Sequence, residues 1–156
     1  MCVIGYNDFR KEVMFMEFSD ENLKENKKRN EKFIKEFDEW LTNKGLSDKT
    51  IRNHVSNAHF YINNYLNYYE IIKMEDGMDE VYSFLNGWFI EKCMWATKNS
   101  IKEMSASIKK FYQCMSELGY VSYEDYKEMC SDIKENMEEF FSSLEDFDNG
   151  TYYDIF

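Results

Sequence analysis

Apolar side chains recur three and four residues apart in three stretches of this 156-residue chain, a spacing that fits an α-helix and no strand. The first stripe runs Ile51, Val55, Ala58, Ile62, Tyr65, Tyr69. The second runs Ile101, Met104, Ile108, Phe111, Met115, Leu118, and the third Tyr126, Cys130, Ile133, Met137, Phe140, Leu144, Phe147. The sequence contains no proline and six glycines, so the punctuation of an all-β or α/β fold is missing. At this length one all-α domain with a real core is expected.

The chain reads as five helices. Ser19-Asp20-Glu21 opens the first, which passes through a charged run (Lys24, Glu25, Lys27, Lys28, Arg29) to Phe33, Ile34, Phe37, Trp40 and Leu41 and stops at Gly45. Ser47 caps the second, within residues 46–69, with Asp48 in its positive first turn. Its other face is polar but hardly charged: Arg52, Asn53, Ser56, Asn57, Asn63, Asn64 and Asn67. Asparagine is a mediocre helix former, so propensity does not explain the choice; the face suits either a partner or plain solvent. After a turn at Glu75-Asp76-Gly77, a third helix takes Val81, Phe84, Leu85, Trp88, Phe89 and the stretch Ile90 to Trp95 inside. Gly87 within it suggests a closely packed neighbour.

Thr97 or Asn99 caps the fourth helix and Gly119 stops it. Ser105, Ala106 and Ser107 in its middle permit a close helix approach, while Lys98, Lys102 and Lys109 share one exposed side with Asn99 and Gln113. Ser122-x-x-Asp125 opens the fifth, whose outward positions carry Glu128, Asp132, Glu135, Glu138, Glu139, Glu145 and Asp146. Bundle packing is expected, with no sheet, and with Trp40, Ile62, Phe84, Trp88, Phe111 and Phe140 buried. Residues 1–18 show no clean period and are expected as an N-terminal arm, with Met14, Phe15, Met16 and Phe18 docking as a short helix or an irregular segment.

The net charge of −11 is unevenly spread. Residues 1–70 and 71–118 each carry −1, whereas residues 119–156 hold only Lys127 and Lys134 against 11 acids. No apolar run approaches a membrane span and residues 1–18 lack a secretory pattern, so a cytosolic protein is expected. Cys2, Cys93, Cys114 and Cys130 form no C-x-x-C pair and read as free thiols. His54 and His59, five apart, face about 140° away from each other on a helix and cannot share one metal ion. Neither a metal nor a cofactor is expected. There is no glycine-rich phosphate loop, nucleophile elbow or H-E-x-x-H motif, and the plentiful carboxylates sit on outer faces where burial does not tune them. A non-enzymatic protein is the expectation.

The stretch FIKEFDEWLTNKGLSDKTIRNHVSNAHFYINNYL (33–66) resembles the start of the core-binding domain of tyrosine recombinases (phage integrases). That family has a helix ending in W-L-x-x-x-G-L-S, then T-I and a long helix. SIKEMSASIKKFYQCMSELGYVS (100–122) is similar to its last core-binding helix, with the F-Y-x-x-M-x-x-x-G ending. The resemblance implies a compact five-helix bundle of the small SAM-like type over residues 19–122, with residues 123–156 as an added acidic C-terminal helix and tail packed on the same domain. It also implies one half of a DNA clamp, derived from a phage or other mobile element. The recombinase chemistry is not expected: Arg10, Arg29 and Arg52 are the only arginines, and no H-x-x-R occurs.

By the same resemblance, Lys49, Thr50, Arg52, Asn53, Ser56 and Asn57 lie near DNA phosphates or bases, with Lys98, Lys102, Lys109 and Lys110 opposite. Hydroxyl, amide and lysine groups suit contact with a phosphate backbone. The partner on this reading is duplex DNA, bound weakly because the body is close to neutral. The rival reading is a protein-interaction module. There Glu128, Asp132, Glu135 and Glu139 meet a basic nucleic-acid-processing protein, in the manner of a DNA mimic.

Overall fold

The computed structural model describes residues 15–150; the start of the arm, 1–14, and the tail, 151–156, lie outside them. The order is β1 (Phe15–Met16), α1 (Asp20–Asn43), α2 (Asp48–His59) continued by a π-helical turn (Phe60–Tyr65), β2 (Ile71–Ile72), and a 3₁₀ helix (Met74–Glu80). Then come α3 (Val81–Ser83), a second π-helical turn (Phe84–Trp88), α4 (Phe89–Lys92), α5 (Lys98–Glu117) and α6 (Tyr123–Asp148). The architecture is a helical bundle. The expected absence of sheet is corrected only by a two-residue antiparallel ladder, Phe15 opposite Ile72 and Met16 opposite Ile71. Those two arm residues are therefore strand instead of helix, and Phe18 is exposed, not docked. Among the described residues no helix is long and apolar enough to cross a membrane.

The helix ends obey their caps. Ser19, Ser47 and Ser122 each accept a hydrogen bond from the backbone N–H three residues on. Thr97 and Ser100 form a reciprocal capping box, which settles the start of α5 in favour of Thr97. Gly45 and Gly119 close α1 and α5 at φ +79° and +84°, the left-handed region that glycine enters freely. The core gathers Phe37 and Leu41 of α1, Ala58 and Ile62 of the second helical segment, and Phe84 and Phe89 of the third. Ile108 and Phe111 of α5 and Ile133 and Phe140 of α6 complete it.

The second helical segment departs most from its expected stripe. The π-helical turn, closed by Leu66 N–H to Tyr61 C=O at 3.0 Å, adds a residue to one turn and rotates the chain beyond it. Tyr61 and Leu66 go inside, and Tyr69 ends up 69% exposed. The same rotation carries Asn63 and Asn67, expected on the outer face, into the interior beside the buried Asn26 and Asn30 of α1. Asn30 Nδ2 donates to Ile62 C=O at 3.2 Å and to Asn63 Oδ1 at 2.9 Å. Asn26 Nδ2 donates to Asn67 Oδ1 at 2.9 Å, and Asn67 Nδ2 to Asn63 C=O at 3.1 Å. The last carbonyls of the π turn thus find side-chain donors inside the protein.

Other expectations are corrected as well. The third helix is not continuous: it winds as 3₁₀, α, π and α and ends at Lys92, leaving Met94 and Trp95 exposed. A Cβ at Gly87 would meet nothing within 4 Å, so no neighbour packs closely there. Gly77 is the tightly packed glycine: it is buried in the 3₁₀ helix, and a Cβ there would sit 2.7 Å from Leu66 Cδ1. The Tyr61 hydroxyl donates to Gly77 C=O at 2.5 Å and the Tyr112 hydroxyl to Met74 C=O at 2.8 Å, tying this segment to the core. Trp40 is only half-buried, because its ring N–H donates to the exposed Glu117 carboxylate and Lys44 Nζ stands 4.8 Å from its ring. Leu118 is exposed at the cap of α5. On α6 the buried line is Met129, Ile133, Phe140 and Leu144, with Tyr126, Cys130, Met137 and Phe147 on its edges.

The asparagine seam makes a direct claim on stability. Asn30→Ala strands two buried acceptors, which costs about 1–3 kcal/mol. Urea unfolding is expected to show that loss with an unchanged slope. A change within about 0.5 kcal/mol, the range of ordinary surface substitutions, would show that the seam is dispensable.

Candidate nucleic-acid interface

The face that the sequence singled out is built on the best-packed helix pair of the molecule, α2 against α5. His54 Nδ1 lies 2.8 Å from Ser107 Oγ, and Asn57 Nδ2 donates to the same oxygen at 3.0 Å. Farther along, Phe60 meets Trp95 just before α5 begins, with ring centroids 5.9 Å apart. As α2 advances its partners recede, so the two helices run in opposite directions. The small Ser105-Ala106-Ser107 run allows this approach: Ser105 and Ser107 are buried, and Ala106 lines the groove between the helices.

That groove, about 190 Å³, is lined by Thr50, Asn53, His54 and Asn57 from α2 and by Glu103, Ala106 and Ser107 from α5. Asn53 stands exposed at its α2 wall, where Thr50 and Asn57 are half-buried, while Lys49, Arg52 and Ser56 are exposed on the neighbouring face of the same helix. Lys110, half-buried on α5, lies close enough to His54 to act on it: burial first and the Lys110 charge second hold the imidazole below its ordinary range. Glu103 carries the groove's carboxylate, and the Asn99 amide donates to it at 3.1 Å.

The four lysines of α5 do not act together. Lys98 Nζ makes an ion pair with Glu145 of α6 at 2.6 Å and lies 5.7 Å from the Phe141 ring centroid. Lys102 Nζ lies 5.5 Å from the same ring. Both turn toward α6, away from the groove, and Lys109, seven residues beyond Lys102, shares their flank. Only Lys110 joins the α2 residues.

On α6 the predicted acids Glu128, Asp132, Glu135 and Glu139 are all exposed. Glu139 accepts from the Tyr82 hydroxyl at 2.7 Å, a bond that raises the phenol above its usual range. Glu128 and Asp132 rim a cleft of about 130 Å³ together with Asp79 and Asp125, over a floor that includes Val81, Met129, Ile133 and Phe140. Asp79 carried no local signal and Asp125 was legible only as part of the helix cap; the fold alone brings residues 79 and 125 together. His54 and Ser107 had a partial signal in the small-residue run. The thiols have no role in either surface: burial raises Cys93, and burial with Glu117 and Glu36 nearby pushes Cys114 up to about 12. Among the described residues no group of three or more His, Cys, Asp or Glu is placed to hold a metal ion.

His54 links this groove to stability. Its folded form resists protonation relative to the unfolded chain, whose histidine titrates near 6.5. Its contribution is therefore complete above about pH 6.5 and declines as pH falls through the lower folded value. His54→Gln is expected to lose less stability than the parent between about pH 7.5 and pH 5.5 in urea titrations. An identical loss in both proteins would rule His54 out as the titrating group.

No protein-family model, curated protein or solved structure matches this chain.

Proposed function

We propose that this chain is a non-catalytic DNA-binding module of the integrase core-binding kind, with its bundle of the SAM-like type, working in the cytosol on a duplex or on a DNA-processing assembly of a mobile element. The observation that carries this reading is a segregation of charge. In a chain of net −11, residues 49–69 contain no carboxylate at all. The helices α2 and α5 together hold six lysines and arginines against Asp48, Glu103 and Glu117. The exposed rim of α2 offers a guanidinium, an ammonium, an amide and a hydroxyl, the groups that hold phosphate oxygens. Lys98 and Lys102 are engaged with α6, so the contact is short and the affinity modest.

The test is the salt dependence of binding to a blunt duplex. Each lost phosphate contact flattens the slope of log K against log salt by about 0.9. The variant K49Q/R52Q/K110Q is expected to lose most of the slope, while K98Q/K102Q keeps it. Equal binding by the parent and the first variant at every salt concentration would overturn the reading.

A second reading has its own observation, the cleft rimmed by Asp79, Asp125, Glu128 and Asp132 over an apolar floor. A lysine or arginine of a basic nucleic-acid-processing protein fits there, its stem on the floor and its charge among the carboxylates. The variant E128Q/D132Q/E135Q/E139Q is expected to fold normally, since exposed charges contribute little to stability. It is also expected to lose a basic protein that the parent retains from a host lysate after nuclease digestion. Retention of the same proteins by both would dispose of this alternative.

A further inference from the structure

We propose that the α2–α5 groove seats one phosphate of the bound nucleic acid beside His54 and Lys110, and that His54 takes up a proton as the phosphate enters. The inference rests on the DNA-binding reading above and adds to it a proton-linked anion seat.

The hydrogen bonding of the groove defines the starting state. Asn57 Nδ2 can only donate, so Ser107 Oγ accepts from it. Among the described residues the Ser107 hydroxyl proton has no acceptor other than His54 Nδ1, 2.8 Å away. The tautomer with its proton on Nε2 satisfies all three groups, because Nδ1 then accepts the Ser107 hydroxyl proton. Protonation at Nδ1 keeps the contact but reverses it: Ser107 accepts from the imidazolium and from Asn57 through its two lone pairs. The Ser107 hydroxyl proton is then left without an acceptor in the empty groove, and an entering phosphate oxygen supplies one.

The electrostatics favour the neutral ring only while the groove is empty. The charged groups facing the site are Lys110 and Glu103, both from α5; Thr50, Asn53 and Asn57 on α2 are neutral, and Arg52 lies on the opposite side of that helix from His54. Glu103 sits one helical turn on the other side of Ser107 from Lys110, toward the Asn57 end, and is held by Asn99. It does not offset Lys110, whose charge adds to burial in disfavouring the imidazolium. A phosphate between His54 and Lys110 reverses that balance: its charge cancels the repulsion, and Asn53 and Thr50 have donors within the same groove. Nucleic acid and free inorganic phosphate share this chemistry, and the experiment separates them.

Duplex affinity of the full chain is measured by anisotropy at constant salt between about pH 5.5 and pH 8, where uptake of one proton weakens binding by at most tenfold per unit rise. The parent is expected to weaken by several-fold over that range, K49Q/R52Q to bind less tightly with the same pH trend, and His54→Gln to show a flat profile. A parent that binds duplex with no pH trend, or a trend retained in His54→Gln, overturns the proton-linked seat and leaves the DNA-binding reading intact. A parent that binds no duplex at any pH overturns both. The His54 ring protons, followed by NMR, give an independent readout. An upward shift of the titration with inorganic phosphate alone supports a general phosphate seat, and a shift with duplex only supports a seat completed by the nucleic-acid backbone. A titration unmoved by either overturns the proposal.

Discussion

The fold depends on a polar contact in its interior, the four asparagines between α1 and the end of the second helical segment. A π-helical turn is an expensive way to wind a chain, because it displaces carbonyls from the regular ladder. Here Asn30 and Asn67 supply donors to the Ile62 and Asn63 carbonyls at its end. Asn30 can reach both Ile62 C=O and Asn63 Oδ1 in one alignment of the two helices only, so the seam sets their register as well. It is not simply a stabilising device: Asn26 Oδ1 and Asn30 Oδ1 have no partner among the described residues. Apolar residues would bury more comfortably but would leave the register free.

Everything downstream inherits the rotation that this turn introduces. Tyr61, brought inside, places its hydroxyl on Gly77 C=O, and Leu66 packs where a side chain at residue 77 would have to go. Tyr65 stacks on Tyr61 and meets Trp88, with centroids 5.6 and 5.3 Å away. The broken third segment is thereby held by aromatic contacts and tyrosine hydroxyls instead of by continuous helix. Upstream of the turn, α2 remains regular, which keeps Lys49, Arg52, Asn53 and Ser56 on one straight, exposed rim.

Much of this was legible in the sequence, because a 3.6-residue period reports burial directly wherever the helix is regular. Ile62, Phe84, Trp88, Phe111 and Phe140 are all buried, as expected. The failures share a cause. Tyr69, Asn63 and Asn67 were misplaced because a π turn leaves no mark in an apolar pattern and shifts the phase of everything after it. The run of asparagines was nevertheless visible as a choice that propensity did not explain, and two of its five, Asn63 and Asn67, have an interior role. Gly87 attracted attention as a helical glycine while Gly77, inside an apparent turn, carries the tight packing. Lys98 and Lys102 do share one flank of α5, as their spacing implied, while Lys110 lies beside the groove. Which neighbour a face meets is a tertiary fact, and for Lys98 and Lys102 it is α6.

That last point limits what the α2–α5 surface can do. The apolar stripe of α6 covers the body, and its Glu145 and Phe141 take up the cationic flank of α5. The acids Glu128, Asp132, Glu135 and Glu139 stand exposed, while Glu145 pairs with Lys98 and the Phe141 ring draws Lys102 to the α6 side. What remains is Lys110 beside His54 and the groove, with Lys49 and Arg52 on the exposed face of α2. Three fixed cations make a weak electrostatic footprint for a polyanion. On the proposed seat, a charge taken up by His54 only when a phosphate is present strengthens the bound state without adding repulsion with Lys110 to the empty one.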